Sequence, residues 1–143
     1  MAFESLTKYL NQFENDDIGT WVIDRENDGS IEHPIQMPFV NYSVMVHNFI
    51  EDVYEFIDNH KEMELNHYGD ILNTNGIEWD SNSMSNTDVS KLDQKCIMAL
   101  IVGAVRAERF CDGALLRFFK EGSICKWLKR LDILDEESYC EVE

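Results

Sequence analysis

Three side chains with metal-ligand chemistry recur at helical spacing near the middle of this 143-residue chain. His60, Glu64 and His67 occupy positions i, i+4 and i+7, so one continuous helix would present all three on the same face. Imidazole nitrogens and carboxylate oxygens are ligands that zinc accepts. The pattern predicts a zinc site if the helix continues past Asn59. If the helix ends there, His60 and His67 are ordinary surface histidines and no cofactor is expected. Zinc is thus the one cofactor that the sequence suggests.

A second dense group of charges directly follows an apolar run. Arg106, Glu108, Arg109 and Asp112 lie within seven residues. Charges that emerge from a core must be paired or solvated, and arginine pairs with carboxylates bidentately. A carboxylate between two arginines has a lowered pKa and is a poor general base. We therefore interpret this cluster as structural ion pairing, and keep a small enzyme that uses it as the alternative.

The usual local signatures of enzymes are absent from the sequence. It contains no P-loop, no GxGxxG or GxSxG motif, no HExxH motif and no EF-hand loop. Cys111 falls near the expected end of a helix, where the helix dipole raises a thiol pKa and weakens the nucleophile. We therefore expect no catalytic residues and a non-enzymatic protein.

Net charge is the most unusual property of the chain. It totals −16, and residues 1–90 account for −15, with three basic residues against 18 carboxylates. Such a surface repels nucleic acid and anionic lipid, since binding either requires Lys or Arg. We expect no direct nucleic-acid or membrane binding. The charge would instead attract a basic partner, such as a nucleic-acid-binding protein; the alternative is that it only keeps the protein soluble.

The carboxylates best placed for such a partner belong to one predicted helix. From about residue 41 the apolar residues follow a helical period: Tyr42, Val46, Phe49, Ile50, Val53 and Ile57. A row of carboxylates lies opposite that apolar stripe or beside it, and we predict that it binds the partner: Glu51, Asp52, Glu55, Asp58 and Glu62. A solvated helix face without a partner is the alternative interpretation.

These residues must be positioned by a fold that is organised around the run Cys96–Val105, which carries no charge. A helix that is apolar on every face must be surrounded by other elements. We predict that this helix begins near Ser90 and ends at Asp112-Gly113. About five helices should pack around it, with a small N-terminal β-hairpin that turns at residues 27–30. The predicted fold class is thus mainly α (α+β).

Domain organisation and compartment follow from length, cysteine content and the first residues. One domain is expected over residues 1–143, with an acidic part at 1–90, central and C-terminal helices at 91–134 and a frayed acidic tail at 135–143. The N-terminus lacks the basic and apolar regions of a secretory signal, which favours the cytoplasm. The four cysteines form no CxxC motif and are expected to be buried, reduced thiols.

Several motifs together carry a resemblance to a known family. They are Trp21, the segment EHPIQMPFVNY at 32–42, Asn75-Gly76-Ile77, RAERFCDG at 106–113 and WLKRL at 127–131. This combination, above all ERFxDG followed by WLxRL, resembles an uncharacterised bacterial and phage family of unknown function over nearly the whole chain. The resemblance implies no known reaction and no established catalytic residues.

The resemblance also carries an expectation about context. Small acidic proteins of bacterial and phage families include inhibitors of host defence. In size, charge and context the chain is similar to anti-CRISPR proteins, some of which block Cas9 by occupying its nucleic-acid-binding surfaces. This similarity implies an inhibitor in the bacterial cytosol that binds a basic surface of a nucleic-acid-handling protein, with Cas9 as the specific candidate.

Overall fold

The computed structural model describes residues 3–35 and 37–142. Gln36, which belongs to the motif at 32–42, and the side chain of Cys140 lie outside the described part. Within it the elements follow in the order α1 (Glu4–Thr7), α2 (Leu10–Asn15), β1 (Gly19–Val22), β2 (Phe39–Tyr42), α3 (Val44–Asn59), α4 (Tyr68–Thr74), α5 (Ser81–Asn86), α6 (Gln94–Ala107), α7 (Ala114–Lys120) and α8 (Ser123–Val142). The prediction of a mainly helical fold with a small hairpin is confirmed.

Helix α6 is the centre of the core. Every residue from Cys96 to Val105 is buried, as the charge-free run predicts. Its boundaries differ from the prediction. Asp93 is the N-cap, because its carboxylate accepts a hydrogen bond from the Cys96 N–H at 2.9 Å. Ser90 lies earlier, in a short 3₁₀ turn, and α6 ends at Ala107, five residues before Asp112.

The other helices cover α6 with one continuous apolar cluster. Buried residues of this cluster run along the chain from Phe3 to Leu134. Trp127, Leu128 and Leu131 are fully buried on α8, as expected of apolar residues at helical spacing. Because a single core includes both ends of the chain, the acidic part at 1–90 and the C-terminal helices stabilise each other.

The hairpin has a wider loop than predicted. Strands β1 and β2 are antiparallel, with Gly19 opposite Tyr42 and Val22 opposite Phe39. The turn expected at 27–30 is displaced along the chain: the His33 N–H donates to the Ser30 carbonyl at 3.1 Å, and this turn lies inside a loop that spans residues 23–38. Tyr42 belongs to β2 rather than to the following helix, which begins at Val44.

Two further expectations are corrected. The acidic tail does not fray after Leu134, because α8 continues to Val142. The cysteines whose side chains are described are free thiols, but only Cys96 is buried, since Cys125 is half-buried and Cys111 is exposed. No helix in the described residues is both long enough and apolar enough to span a bilayer.

Candidate interaction surface

Three of the predicted partner-binding carboxylates share one exposed stripe of α3. The Ser43 hydroxyl caps this helix by accepting from the Val46 N–H at 3.4 Å. The buried face of α3 consists of Val46, Phe49, Val53, Phe56 and Ile57. Glu51, Glu55 and Asp58 are exposed on the opposite side, and within the described residues none of them forms an ion pair with Lys or Arg.

The remaining two carboxylates of that prediction do not join the stripe. Asp52 accepts a hydrogen bond from the Tyr9 hydroxyl at 2.5 Å and lies 3.5 Å from Lys8 Nζ, so it fixes the N-terminal helices to α3. Burial, together with the adjacent Asp52, raises the pKa of Tyr9 to about 12. Glu62 lies beyond the end of α3, in a 3₁₀ turn formed by Lys61–Met63.

The loop between β1 and β2 exposes apolar side chains among carboxylates. Ile31 is completely exposed, Met37 is 79% exposed, and Ile23 and Ile35 are each about half exposed. The same loop contains four acidic residues, Asp24, Glu26, Asp28 and Glu32, with Arg25 as its one basic residue. Strand β2 lies between the loop and α3, and Ser43 alone separates β2 from that helix. The sequence patterns predicted only a hairpin turn in this segment, and its apolar exposure was missed. The available signal was four large apolar residues without strand or helix periodicity.

The predicted zinc ligands are separated by a break in the helix. Helix α3 ends at Asn59, and the His60 ring stacks on Phe56 with 3.9 Å between centroids. Glu64 has a positive φ of 53° between two 3₁₀ turns. His67 lies in the second turn, with Nδ1 at 4.0 Å from the Asp70 carboxylate. Among the described residues, no group of three or more His, Cys, Asp or Glu side chains is arranged to hold a metal ion. The prediction of one ligand face fails because the continuous helix it requires is absent.

Glu108 connects three elements through its carboxylate. It accepts hydrogen bonds from the N–H groups of Gly113 and Leu115 at 3.0 Å, which caps the start of α7. It also accepts from the Tyr42 hydroxyl at 2.5 Å, and that hydroxyl accepts from the Leu116 N–H at 2.9 Å. Burial and the neighbouring Glu108 raise the pKa of Tyr42 well above its usual value. These contacts are those of a group that holds β2 against α7.

The arginines of the same segment do not pair with its carboxylates. The guanidinium carbons of Arg106 and Arg109 lie 5.4 and 5.9 Å from the centre of the Tyr54 ring. Arg106 also donates to the Asn66 side chain at 3.4 Å. Within the part of the chain that the structure describes, neither arginine, nor Glu108, nor Asp112 forms an ion pair. The expected Arg–carboxylate pairing is wrong because Glu108 is already bound to backbone N–H groups and a tyrosine.

The capped turn at 108–113 lies within a region that matches a sequence family. Residues 2–137 match the model of DUF6508, a family of unknown function, and the chain therefore belongs to that family. This confirms the resemblance to an uncharacterised family, and the match includes both the 106–113 and the 127–131 motifs. No curated protein and no solved structure matches the chain.

Proposed function

We propose that this protein is a non-enzymatic interaction protein that binds a basic surface of another protein. The observation that carries the proposal is the β1–β2 loop, in which Ile31 and Met37 are exposed among carboxylates. Large apolar side chains that no other part of a protein covers are typical of interaction sites when they cluster. The loop therefore supplies apolar contact area, and the surrounding charge selects the partner.

The acidic stripe of α3 supports a basic partner. Glu51, Glu55 and Asp58 are exposed and, among the described residues, have no Lys or Arg partner that would neutralise them. Complementary charge mainly speeds encounter and excludes wrong partners. A partner with a strongly positive surface fits this stripe.

The charge density of the α3 stripe can be compared with that of duplex DNA, which a basic groove would otherwise bind. Residues 51–58 span ~10 Å of helix at ~1.5 Å per residue, and duplex DNA of that length carries ~6 charges. The three carboxylates of α3 supply half that number, so the stripe alone does not reproduce a duplex. Four further carboxylates in the β1–β2 loop would have to contribute. The partner we propose is accordingly a nucleic-acid-handling protein whose basic groove is occupied jointly by α3 and the loop.

The specific form of the proposal is an inhibitor of the anti-CRISPR type, with a Cas9 effector as the partner. Its support is the net charge of −16, the small size of the chain and the exposed acidic and apolar residues just described. The alternatives that use His60, Glu64 and His67 or the Arg106–Asp112 segment lose their geometric basis, because the first set is separated and Glu108 caps a helix.

The loop is tested with single substitutions in the purified protein. Ile31→Ser and Met37→Ser remove exposed apolar groups, and each is expected to weaken binding to the partner by ~5-fold or more. Ile133→Ser is the matched control, because Ile133 is half-exposed on α8, away from the loop in sequence. Affinity is measured by biolayer interferometry against Cas9 with and without guide RNA, other basic nucleic-acid-binding proteins, and lysozyme as an unrelated basic protein.

Binding to guide-free Cas9 or another nucleic-acid-handling protein, reduced by the loop variants and unchanged by Ile133→Ser, would support the proposal. It would be contradicted if the whole panel gave no signal at low salt, or if lysozyme bound as tightly as the nucleic-acid-handling proteins. Equal loss for Ile133→Ser would show that the loop has no special role.

A further inference from the structure

Arg106 and Arg109 form a pair of cations that the acidic chain does not neutralise. Both guanidinium groups lie over one ring, that of Tyr54, at 5.4 and 5.9 Å from its centre. Among the described residues neither has a carboxylate within ion-pair distance, although the chain has 28 acidic residues and 12 basic ones. Three other basic side chains, Lys8, Arg117 and Lys129, do form such pairs.

An exposed aromatic ring directly follows the arginine pair along the chain, since Phe110 succeeds Arg109. Phe110 is 78% exposed and meets the Trp79 ring edge-on at 5.8 Å between centroids. Trp79 is itself 43% exposed, and its Nε1–H donates to the Gly103 carbonyl at 2.9 Å. Tyr68 supports Trp79 from another side at 5.3 Å. The rings are thus held in place on the C-terminal half of α6 while part of their surface remains open.

Fold stability explains only part of this arrangement. Arg106 lies in the last turn of α6, where a cation interacts favourably with the helix dipole. Neither Arg109 nor the exposure of Phe110 follows from that effect. An aromatic ring that is open to solvent beside two unneutralised guanidinium groups is a combination that binding sites use, since arginine binds phosphate bidentately and flat rings stack on aromatic side chains.

We propose that this surface, which we call the Arg106–Phe110 site, binds a small ligand of the nucleoside monophosphate class. The phosphate monoester would accept hydrogen bonds from Arg106 and Arg109, and the base would stack on Phe110 or Trp79. The proposal does not rest on the proposed function, although the site borders the α3 stripe, whose Glu51 and Asp58 flank Tyr54 on the same helix.

Nearby charge limits the ligand to a small one. Glu51 and Asp58 lie one helical turn to either side of Tyr54 on α3, and both are exposed carboxylates. They would oppose additional phosphates, as would the net charge of −16. A monophosphate is therefore favoured over a triphosphate or a nucleic-acid strand.

The site is tested with the purified full chain and adenosine monophosphate. Isothermal titration calorimetry is expected to give saturable binding with a Kd of ~10–1000 µM, as suits a small ligand on an open surface. Tryptophan fluorescence should change in parallel, and Trp79→Phe should remove most of that change. Arg106→Gln/Arg109→Gln is expected to weaken binding by ~10-fold or more.

Controls separate this site from general electrostatic effects. Arg117→Gln/Lys120→Gln removes the same charge from exposed positions of α7 and should leave the affinity unchanged. The single variant Arg109→Gln, at an exposed position, keeps the test valid if the double variant does not fold. Absence of saturable heat, equal loss in the α7 control, or equally tight binding of inorganic phosphate would each overturn the proposal. Tighter binding of a short oligonucleotide would likewise overturn it in favour of a nucleic-acid site.

Discussion

Tyr9 and Tyr42 show how single residues join distant segments of this chain. Each phenolic hydroxyl donates a hydrogen bond to a carboxylate, Tyr9 to Asp52 and Tyr42 to Glu108. Burial and the partner carboxylate raise the pKa of both phenols, that of Tyr9 to about 12. The neutral phenol is thus part of the folded structure, because an ionised one would repel its partner.

The pH dependence of stability follows from the Tyr9 contact. Because the folded pKa of about 12 exceeds the ordinary value of 10, the contribution of Tyr9 is complete below pH 10 and is lost as pH rises towards 12. Tyr9→Phe should therefore lower the free energy of unfolding near pH 8 by ~1 kcal/mol and give a shallower decline above pH 10. Urea unfolding across this pH range measures both effects.

Cys96 also contributes to the loss of stability at high pH, and it does so in both proteins. Burial raises the pKa of its thiol to about 11, so the wild type and Tyr9→Phe share its contribution to the alkaline decline. The difference between the two curves belongs to Tyr9. Parallel curves for the two proteins would contradict the assignment.

At the scale of elements, the junction between α6 and α7 depends on Gly113. This residue has a φ of +90°, and a Cβ placed on it would lie 2.3 Å from Cζ2 of Trp21. The glycine therefore meets two requirements, a left-handed turn and close contact with the indole of β1. Glu108 then caps α7 from the same turn, which gives the ERFxDG motif a structural role at both of its ends.

Gly113→Ala is expected to destabilise the protein by more than the backbone strain alone. A left-handed alanine costs ~1 kcal/mol, and displacement of the Trp21 ring should add a similar amount. Gly122→Ala is the matched control, since Gly122 has a φ of +78° and nothing within 4 Å of its Cβ position. Thermal and urea unfolding compare the two. Equal destabilisation would show that Trp21 makes no difference, and Trp21→Ala/Gly113→Ala should recover the part due to the clash.

Sequence patterns identified the elements more reliably than the surfaces they create. The uncharged run Cys96–Val105 predicted the buried part of α6, because a helix segment that is buried on every side contains no charged residues. The predicted ligand face of His60, Glu64 and His67 does not form, because i, i+4, i+7 spacing requires one helix and α3 ends at Asn59. The hydrogen bond from Tyr42 to Glu108 could not be predicted from sequence, since the two residues are 66 positions apart.

At the scale of the whole molecule, charge is unevenly divided along the chain, whereas the core is not. Residues 1–90 carry −15 of the net −16, but they also contribute buried residues to the core beside the run Cys96–Val105 and the apolar face of α8. Both parts share one core, so the acidic surface has a rigid support. A pre-organised charged surface loses little entropy on binding, which favours recognition of a partner by this face.

The most direct test of a basic partner is the salt dependence of its affinity for three forms of the protein. The wild type is compared with Glu51→Lys/Glu55→Lys/Asp58→Lys and with the control Asp132→Lys/Glu136→Lys/Glu137→Lys, which changes the same number of exposed charges on α8. Between ~50 and ~300 mM NaCl, the wild type and the control should lose affinity steeply, while the α3 variant should bind ~10-fold more weakly at low salt and depend less on salt. Identical behaviour of the two triple variants would contradict a specific role for the α3 stripe and leave the charge as a general property of the surface.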